Sequence, residues 1–110
     1  MSYYNHFTCT LQNLKGEYCD EDTSKGILYY LKSYNGDADQ ALNCDGSSNV
    51  DISHWEYIND FSEFSKQFPE VVFCLEVFGD SGRFKLYFND GKHQRVEVEF
   101  PNFDLNIMKG

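Results

Sequence analysis

The chain predicts an α+β fold, an antiparallel sheet with two helices packed on one face, and three observations carry it. Residues 71–100 hold three strand-like stretches separated by turn signals, a three-stranded meander. Two earlier stretches, Asp22 to Tyr34 and Ile58 to Gln67, repeat apolar residues at helical spacing. Strand-like alternation near the start, with a shorter run before the second helix, completes the order β-α-β-α-β-β-β.

Each element has its own warrant. His6 to Leu14 alternates with Phe7, Cys9 and Leu11 on one face, which makes a half-buried strand. Asp22 or Thr23 can cap a helix to about Tyr34, with Ile27, Leu31 and Tyr34 at i, i+4, i+7 and Leu28 beside them. Asn35-Gly36 ends it. Residues 36–49, GDADQALNCDGSSN, are acidic and turn-forming, with only Ala41 and Leu42 as anchors. Val50 to Trp55 reads as a short strand. Ile58, Phe61, Phe64 and Phe68 trace one side of the second helix, which stops at Phe68-Pro69.

Val71 to Phe78, VVFCLEVF, is rich in β-branched and aromatic residues. After the turn Gly79-Asp80-Ser81-Gly82, Phe84, Leu86 and Phe88 alternate with Arg83, Lys85 and Tyr87. Beyond Asp90-Gly91, His93 to Phe100 alternates with Val96, Val98 and Phe100 inward, and Pro101 stops it.

Opposed residues must share a face, so parity tests register. A tight turn at Asp80-Ser81 opposes Val77 to Phe84, Leu75 to Leu86, Phe73 to Phe88 and Glu76 to Lys85, which agrees on both faces. A two-residue Asp90-Gly91 loop would oppose Leu86 to Arg95 and fails this test. Three-residue loops, Asn89-Asp90-Gly91 or Asp90-Gly91-Lys92, restore parity and leave two alternatives.

At 110 residues, 41% of them hydrophobic and 17% aromatic, the chain is one domain (1–110) with an aromatic core. No apolar run is long enough to span a membrane. The start, MSYYNHFTCT, has no signal-peptide pattern, so a cytosolic location is expected, with Cys9, Cys19, Cys44 and Cys74 as free thiols.

Residues 17–63 hold eleven Asp and Glu against Lys25 and Lys32, a balance equal to the whole chain's −9. A one-signed surface draws basic proteins and repels nucleic acid and anionic membrane. The predicted outer sheet face carries Phe78, Tyr87, Arg83, Lys85 and Arg95, balanced by Glu76, Glu97 and Glu99. A neutral, self-paired face gives no platform for nucleic acid, and none is expected as a direct partner.

Catalytic and metal chemistry find little support. There is no CxxC or HxxxH, and Asp37-Ala-Asp39 opens like a calcium loop but continues with Ala41 and Leu42. Cys19 and Cys44 lie among carboxylates, which raise a thiol's pKa and lower its reactivity. His6, His54 and His93 fall in separate elements, and glycine-rich phosphate loops are absent. No cofactor and no enzymatic activity are expected.

From Trp55 onward, Trp55, Asp60, Glu63, Ser65-Lys66, Phe68-Pro69, Val72-Phe73, Leu75-Glu76, Gly79, Gly82, Tyr87-Phe88, Asp90-Gly91-Lys92 and Phe103-Asp104 form a recognisable series. On these residues the chain, over about residues 55–104, resembles small uncharacterised phage and mobile-element proteins with a ferredoxin-like α+β fold. The resemblance implies a small accessory protein inside a bacterial cell and brings no catalytic residue.

The charge and the resemblance together point to a non-enzymatic acidic binding protein. It would inhibit a host nucleic-acid-handling or defence protein, in the manner of anti-CRISPR or anti-restriction proteins, by occupying a basic surface. Carboxylates along loops and a helix can imitate a row of phosphates. The expected contacts are Asp20, Glu21, Asp22, Asp37, Asp39, Asp45 and Asp51. Tyr18, Tyr29, Tyr30, Tyr34, Trp55 and Tyr57 lie in the same region, with Tyr30 and Trp55 as the expected anchors. The alternative is a small structural or assembly module whose acidic surface serves solubility.

Overall fold

The computed structural model describes residues 5–52, 55–79 and 82–97. Four strands, β1 (Asn5–Asn13), β2 (Val71–Gly79), β3 (Gly82–Asn89) and β4 (Lys92–Glu97), form one antiparallel sheet in the order β1-β2-β3-β4. Three helices, α1 (Glu21–Tyr34), α2 (Gly36–Ala41) and α3 (Tyr57–Ser65), all fall between β1 and β2. The fold is therefore α+β with the order β-α-α-α-β-β-β. That differs from the expected ferredoxin-like order, because among the described residues the second expected strand, Val50 to Trp55, does not form. Ile52 makes only an isolated bridge with Asn5, and residues 53 and 54 lie outside the described residues.

The core fills one side of the sheet. Phe7, Cys9 and Leu11 of β1 line up with Val77, Leu75 and Phe73 of β2 and, through them, with Phe84, Leu86 and Phe88 of β3. The helices lay Leu28, Leu31, Ala38, Ala41, Phe61 and Phe64 on that face. Aromatic rings interlock there, with Phe61 stacked on Phe88 at 5.2 Å and Phe64 edge-on to Phe73 at 5.6 Å. Phe7 meets Trp55 and Tyr57 edge-on at 5.0 and 5.1 Å. Tyr57, not Ile58, begins the inward stripe of α3. Ile58 is 37% exposed, whereas positions 57, 61, 64 and 68 recur on one helical side.

Local chemistry explains where the helices begin. Asp20, earlier than expected, caps α1, its carboxylate accepting from Thr23 N–H at 3.1 Å and Thr23 Oγ1 at 2.6 Å. Asn35 serves two helices. Its N–H donates to Leu31 O at the end of α1, and its Oδ1 accepts from Ala38 N to cap α2 at 2.9 Å. Helix α2 falls in a stretch expected to be loop, and it persists because Ala38 and Ala41 are buried. Lys32 then clamps α1 to α2, donating to Leu42 O at 2.6 Å and Asp39 O at 2.9 Å.

The β2–β3 register matches expectation, pairing Val77 with Phe84, Leu75 with Leu86, Phe73 with Phe88 and Glu76 with Lys85. Asp80 and Ser81, expected as its turn, lie outside the described residues, as do the expected strand end at residues 98–100 and Pro101. The β3–β4 register is a correction. Asn89 pairs with Lys92 around a two-residue Asp90-Gly91 turn, so Leu86 does oppose Arg95. Both turn residues have positive φ, 49° and 83°, the pair that a two-residue hairpin of matching twist requires. Parity failed as a test because β4 is an edge strand whose residues 92–96 stay exposed, where inner-face positions need no apolar residue. Arg95 instead lays its guanidinium 3.9 Å from the centroid of the Phe84 ring, and the His93 ring lies 6.0 Å from Phe88. Val96 turns outward and is 38% exposed.

The far side of the sheet carries no helix among the described residues. By register it presents His6, Thr8, Thr10 and Gln12, then Val72, Cys74, Glu76 and Phe78. Arg83, Lys85 and Tyr87 follow, then Lys92, Gln94 and Val96. Among the described residues no helix is long and apolar enough to cross a membrane.

Candidate functional site

The nine expected contact residues separate into distinct places. Asp20, Glu21 and Asp22 open α1, where carboxylates complement the positive end of the helix dipole. Asp45, more than twenty residues away, joins them because the 43–48 loop is fastened to the edge of β1, with Cys9 N–H donating to Gly46 O at 2.8 Å. Lys25 records the convergence. It ion-pairs Glu21 at 3.0 Å, and Glu21, Asp22 and Asp45 together hold its ammonium above the ordinary lysine range, with the Glu21 hydrogen bond the largest cause. Three carboxylates thus surround one lysine on an exposed surface, with Asp20 next to them in the chain.

Two of these acids are held ionised by local donors. Hydrogen bonds from the Thr23 side chain and then its backbone lower the Asp20 pKa. The Ser47 hydroxyl at 2.6 Å and its N–H at 2.9 Å do the same for Asp45. Asp37 and Asp39 sit apart, in the first turn of α2, where Asp39 pairs with Lys32 at 3.0 Å. Asp51 is elsewhere again, paired with His6 Nδ1 at 2.8 Å. Asp22 and Asp37 enter no side-chain hydrogen bond or ion pair among the described residues.

The aromatic anchors divide as well. Tyr30 is 46% exposed and leans its ring on Phe64 and Phe68. Trp55 is 6% exposed and belongs to the core, so it is corrected from anchor to framework. Its Nε1–H donates to Asp60 Oδ2 at 2.7 Å, and Asn35 Nδ2 donates to the same oxygen at 2.9 Å. The most exposed tyrosines near the acidic group are Tyr18 and Tyr29, at 73% and 66%. Tyr29 was legible in principle, since Leu28 and Leu31 face inward and the residue after Leu28 turns about 100° away.

Ser65, Lys66 and Gly91 do framework work. Ser65 Oγ accepts from Gly91 N–H at 2.8 Å, and the Lys66 side chain lies against Gly91. Lys66 also ion-pairs Glu63 at 3.2 Å. These contacts fasten α3 to the β3–β4 turn.

His6 has partners that spacing could not reveal. Ser48 Oγ lies 3.4 Å from the same Nδ1 that contacts Asp51, so serine and carboxylate share one nitrogen instead of flanking the ring. That arrangement pins the 47–52 loop to β1 and does not align a nucleophile with a base. Burial pushes the Cys9 thiol far up and, with Asp20 beside it, raises that of Cys19. Neither is an activated nucleophile. Among the described residues no three His, Cys, Asp or Glu side chains converge as a metal site. No protein-family model, curated protein or solved structure matches the chain.

Proposed function

We propose that the chain is a non-enzymatic acidic binding protein, encoded by a phage or mobile element. In this reading it inhibits a host nucleic-acid-handling or defence protein by occupying its basic surface, as anti-CRISPR and anti-restriction proteins do. The observation that carries the reading is the gathering of Asp45 with Glu21 and Asp22 around Lys25, beside Asp20 and close in the chain to the exposed Tyr18 and Tyr29. Acids distant in sequence surround one lysine, three carboxylates to one ammonium, near side chains that serve well as interface anchors. A partner's Lys and Arg would be steered there, with an association rate that falls as salt rises.

A second reading has its own support. Asp20, Asp39, Asp45 and Asp51 each satisfy a local donor or cation, as the acids of a structural module with a solvated surface would. Asp22 and Asp37 separate the two, because neither holds the fold together. Affinity capture from bacterial lysate would compare the native chain with Asp22→Lys/Asp37→Lys, each protein's recovery being quantified. Binding predicts a set of basic, nucleic-acid-handling proteins that the double variant loses while it still melts cooperatively, its melting temperature lowered only by the lost charge–dipole contacts at the starts of α1 and α2. Recovery of no such protein, or equal recovery by both chains, counts against inhibition and for the solubility reading.

A further inference from the structure

The corrected β3–β4 register changes the chemistry of the sheet face that the helices leave open. Arg95 pairs with Leu86, an inner-face position, so it does not belong with the outer row. Lys92 and Gln94 take their place there. Among the described residues the outer strand positions then hold Arg83, Lys85 and Lys92 against Glu76 alone. Glu76 is committed to Arg83 at 2.9 Å, whereas Lys85 and Lys92 form no ion pair among the described residues. Asp51 also reaches this side through its pair with His6, so the excess of positive charge rests on Lys85 and Lys92.

Aromatic rings interleave these cations. Phe78 on β2 is 49% exposed, with His6 stacked on it at 6.2 Å and the Arg83 guanidinium 5.8 Å from its centroid. Tyr87 on β3 stands opposite Cys74. Tyr18, bridged to Gln12 at the β1 edge, is close enough that its charge contributes to holding the Tyr87 hydroxyl above the usual tyrosine range, with Cys74 the largest cause. Two shallow depressions mark the face. One, of about 380 Å³, lies among His6, Thr8, Glu76, Phe78 and Arg83. The other, of about 420 Å³, lies among Val72, Tyr87, Asn89, Lys92 and Gln94. Tyr87 and Arg83 are four residues apart on β3, so the two aromatic positions are separated by about 13 Å along the strands.

We infer that this face binds a short single-stranded nucleic acid, with bases stacked on Phe78 and Tyr87 and the phosphate backbone following Lys85, Lys92 and Arg83. The exposed Phe78 and the half-buried Tyr87, on the two central strands of a four-stranded sheet and beside basic residues, offer ring faces on which bases can stack. An acidic peptide would use the cations and leave the rings idle. The chain's net −9 does not forbid such binding. The acidic patch gathers at the start of α1 and along the β1 edge, where Thr10, Tyr18, Glu21 and Asp45 line one pocket. Lys85 and Lys92 stand on β3 and β4 at the other side of the sheet, and salt screens charges beyond the ~8 Å Debye length at physiological ionic strength. The inference stands on the sheet face alone and is independent of the acidic reading.

The test is fluorescence anisotropy with labelled oligothymidylate and oligouridylate of about ten nucleotides, and a duplex of equal length. Saturable binding is expected for the single strands and weaker binding for the duplex. Three phosphate contacts predict a slope of about −2 in log K against log salt, a loss of about 20-fold between roughly 50 and 200 mM. Phe78→Ala should weaken binding roughly five- to 150-fold through lost stacking. Lys85→Gln/Lys92→Gln, which touches no packed ring, should flatten the salt slope toward about −0.7, and Asp22→Lys, at the start of α1, should not flatten it. Each of four results overturns the inference. They are no binding up to about 100 μM at low salt, equal loss of binding by the Asp22 variant, equal affinity for polyglutamate, or a dimer in sedimentation that the Lys85/Lys92 variant dissolves. The last would assign the face to the acidic patch of a second copy.

Discussion

Removing the Asp60 carboxylate should loosen the junction of all three helices. One oxygen accepts from Trp55 Nε1 at 2.7 Å and from Asn35 Nδ2 at 2.9 Å, half-buried beneath the turn between α1 and α2. Hydrogen bonds to a charged acceptor contribute about 1.5–3 kcal/mol each, and Asp60→Ala leaves two donors without a partner. Water can reach part of this site, so the expected cost is about 2–4 kcal/mol, near the lower end of that sum. For a domain of this size that is a fall in melting temperature of about 8–16 °C. Urea unfolding followed by fluorescence suits the question, since Trp55 is the single tryptophan and reports its own environment. The midpoint should move at constant slope, and Asp60→Asn, which keeps an acceptor oxygen, should cost less. In a double-mutant cycle, Asn35→Ala and Asp60→Ala should cost less together than in sum. A cost below about 0.5 kcal/mol, or strict additivity in the cycle, would refute the reasoning.

The remaining predictions concern the loop, the cap and the thiols. Gly46 has φ +87°, and a Cβ there would stand 2.0 Å from the Cys9 carbonyl oxygen. Gly46→Ala should therefore cost about 3 kcal/mol or more in urea unfolding, and a cost under about 1 kcal/mol would contradict the loop geometry. The folded Asp20 pKa is depressed, so its stabilising effect is present above the unfolded value of about 3.9 and is lost as pH falls through the lower folded value. Melting temperature should be steady near neutrality and fall below about pH 4, and Asp20→Asn, which still caps but cannot titrate, should fall less steeply. A thiol reagent should label Cys19 and Cys44 in the native protein, and the buried Cys9 and Cys74 only after unfolding. Rapid native labelling of Cys9 would contradict its burial and raised pKa.

What could be read from the sequence follows from how strongly each segment is buried. The β2–β3 pairing was legible because both strands lie under α3, so every inner position is apolar and one register alone fits. The α1 span was legible to within a residue or two from Ile27, Leu28 and Leu31, though its cap was not, since Asp20 and Asp22 are equally good capping residues. Helix α2 gave no periodic signal. Two buried alanines and a shared Asn35 cap hold it, and neither stands out from an acidic, glycine-containing stretch. Burial also decided Trp55, because a Trp beside acids reads as an interface anchor until Asp60 is seen to take its N–H. Of the acidic group, the first turn of α1 was visible as a run of charges. The arrival of Asp45 depends on Gly46 docking on β1, a contact between distant residues that no local pattern reports.

The β3–β4 register decides which side chains the open face displays, and cross-strand NMR contacts test it most directly. Cross-peaks between the Hα protons of Leu86 and Arg95, and of Phe88 and His93, are the predicted result. Contacts pairing Leu86 with Gln94 or Val96 would mean a three-residue loop, return Arg95 to the outer face, and remove the basic platform on which the nucleic-acid inference stands.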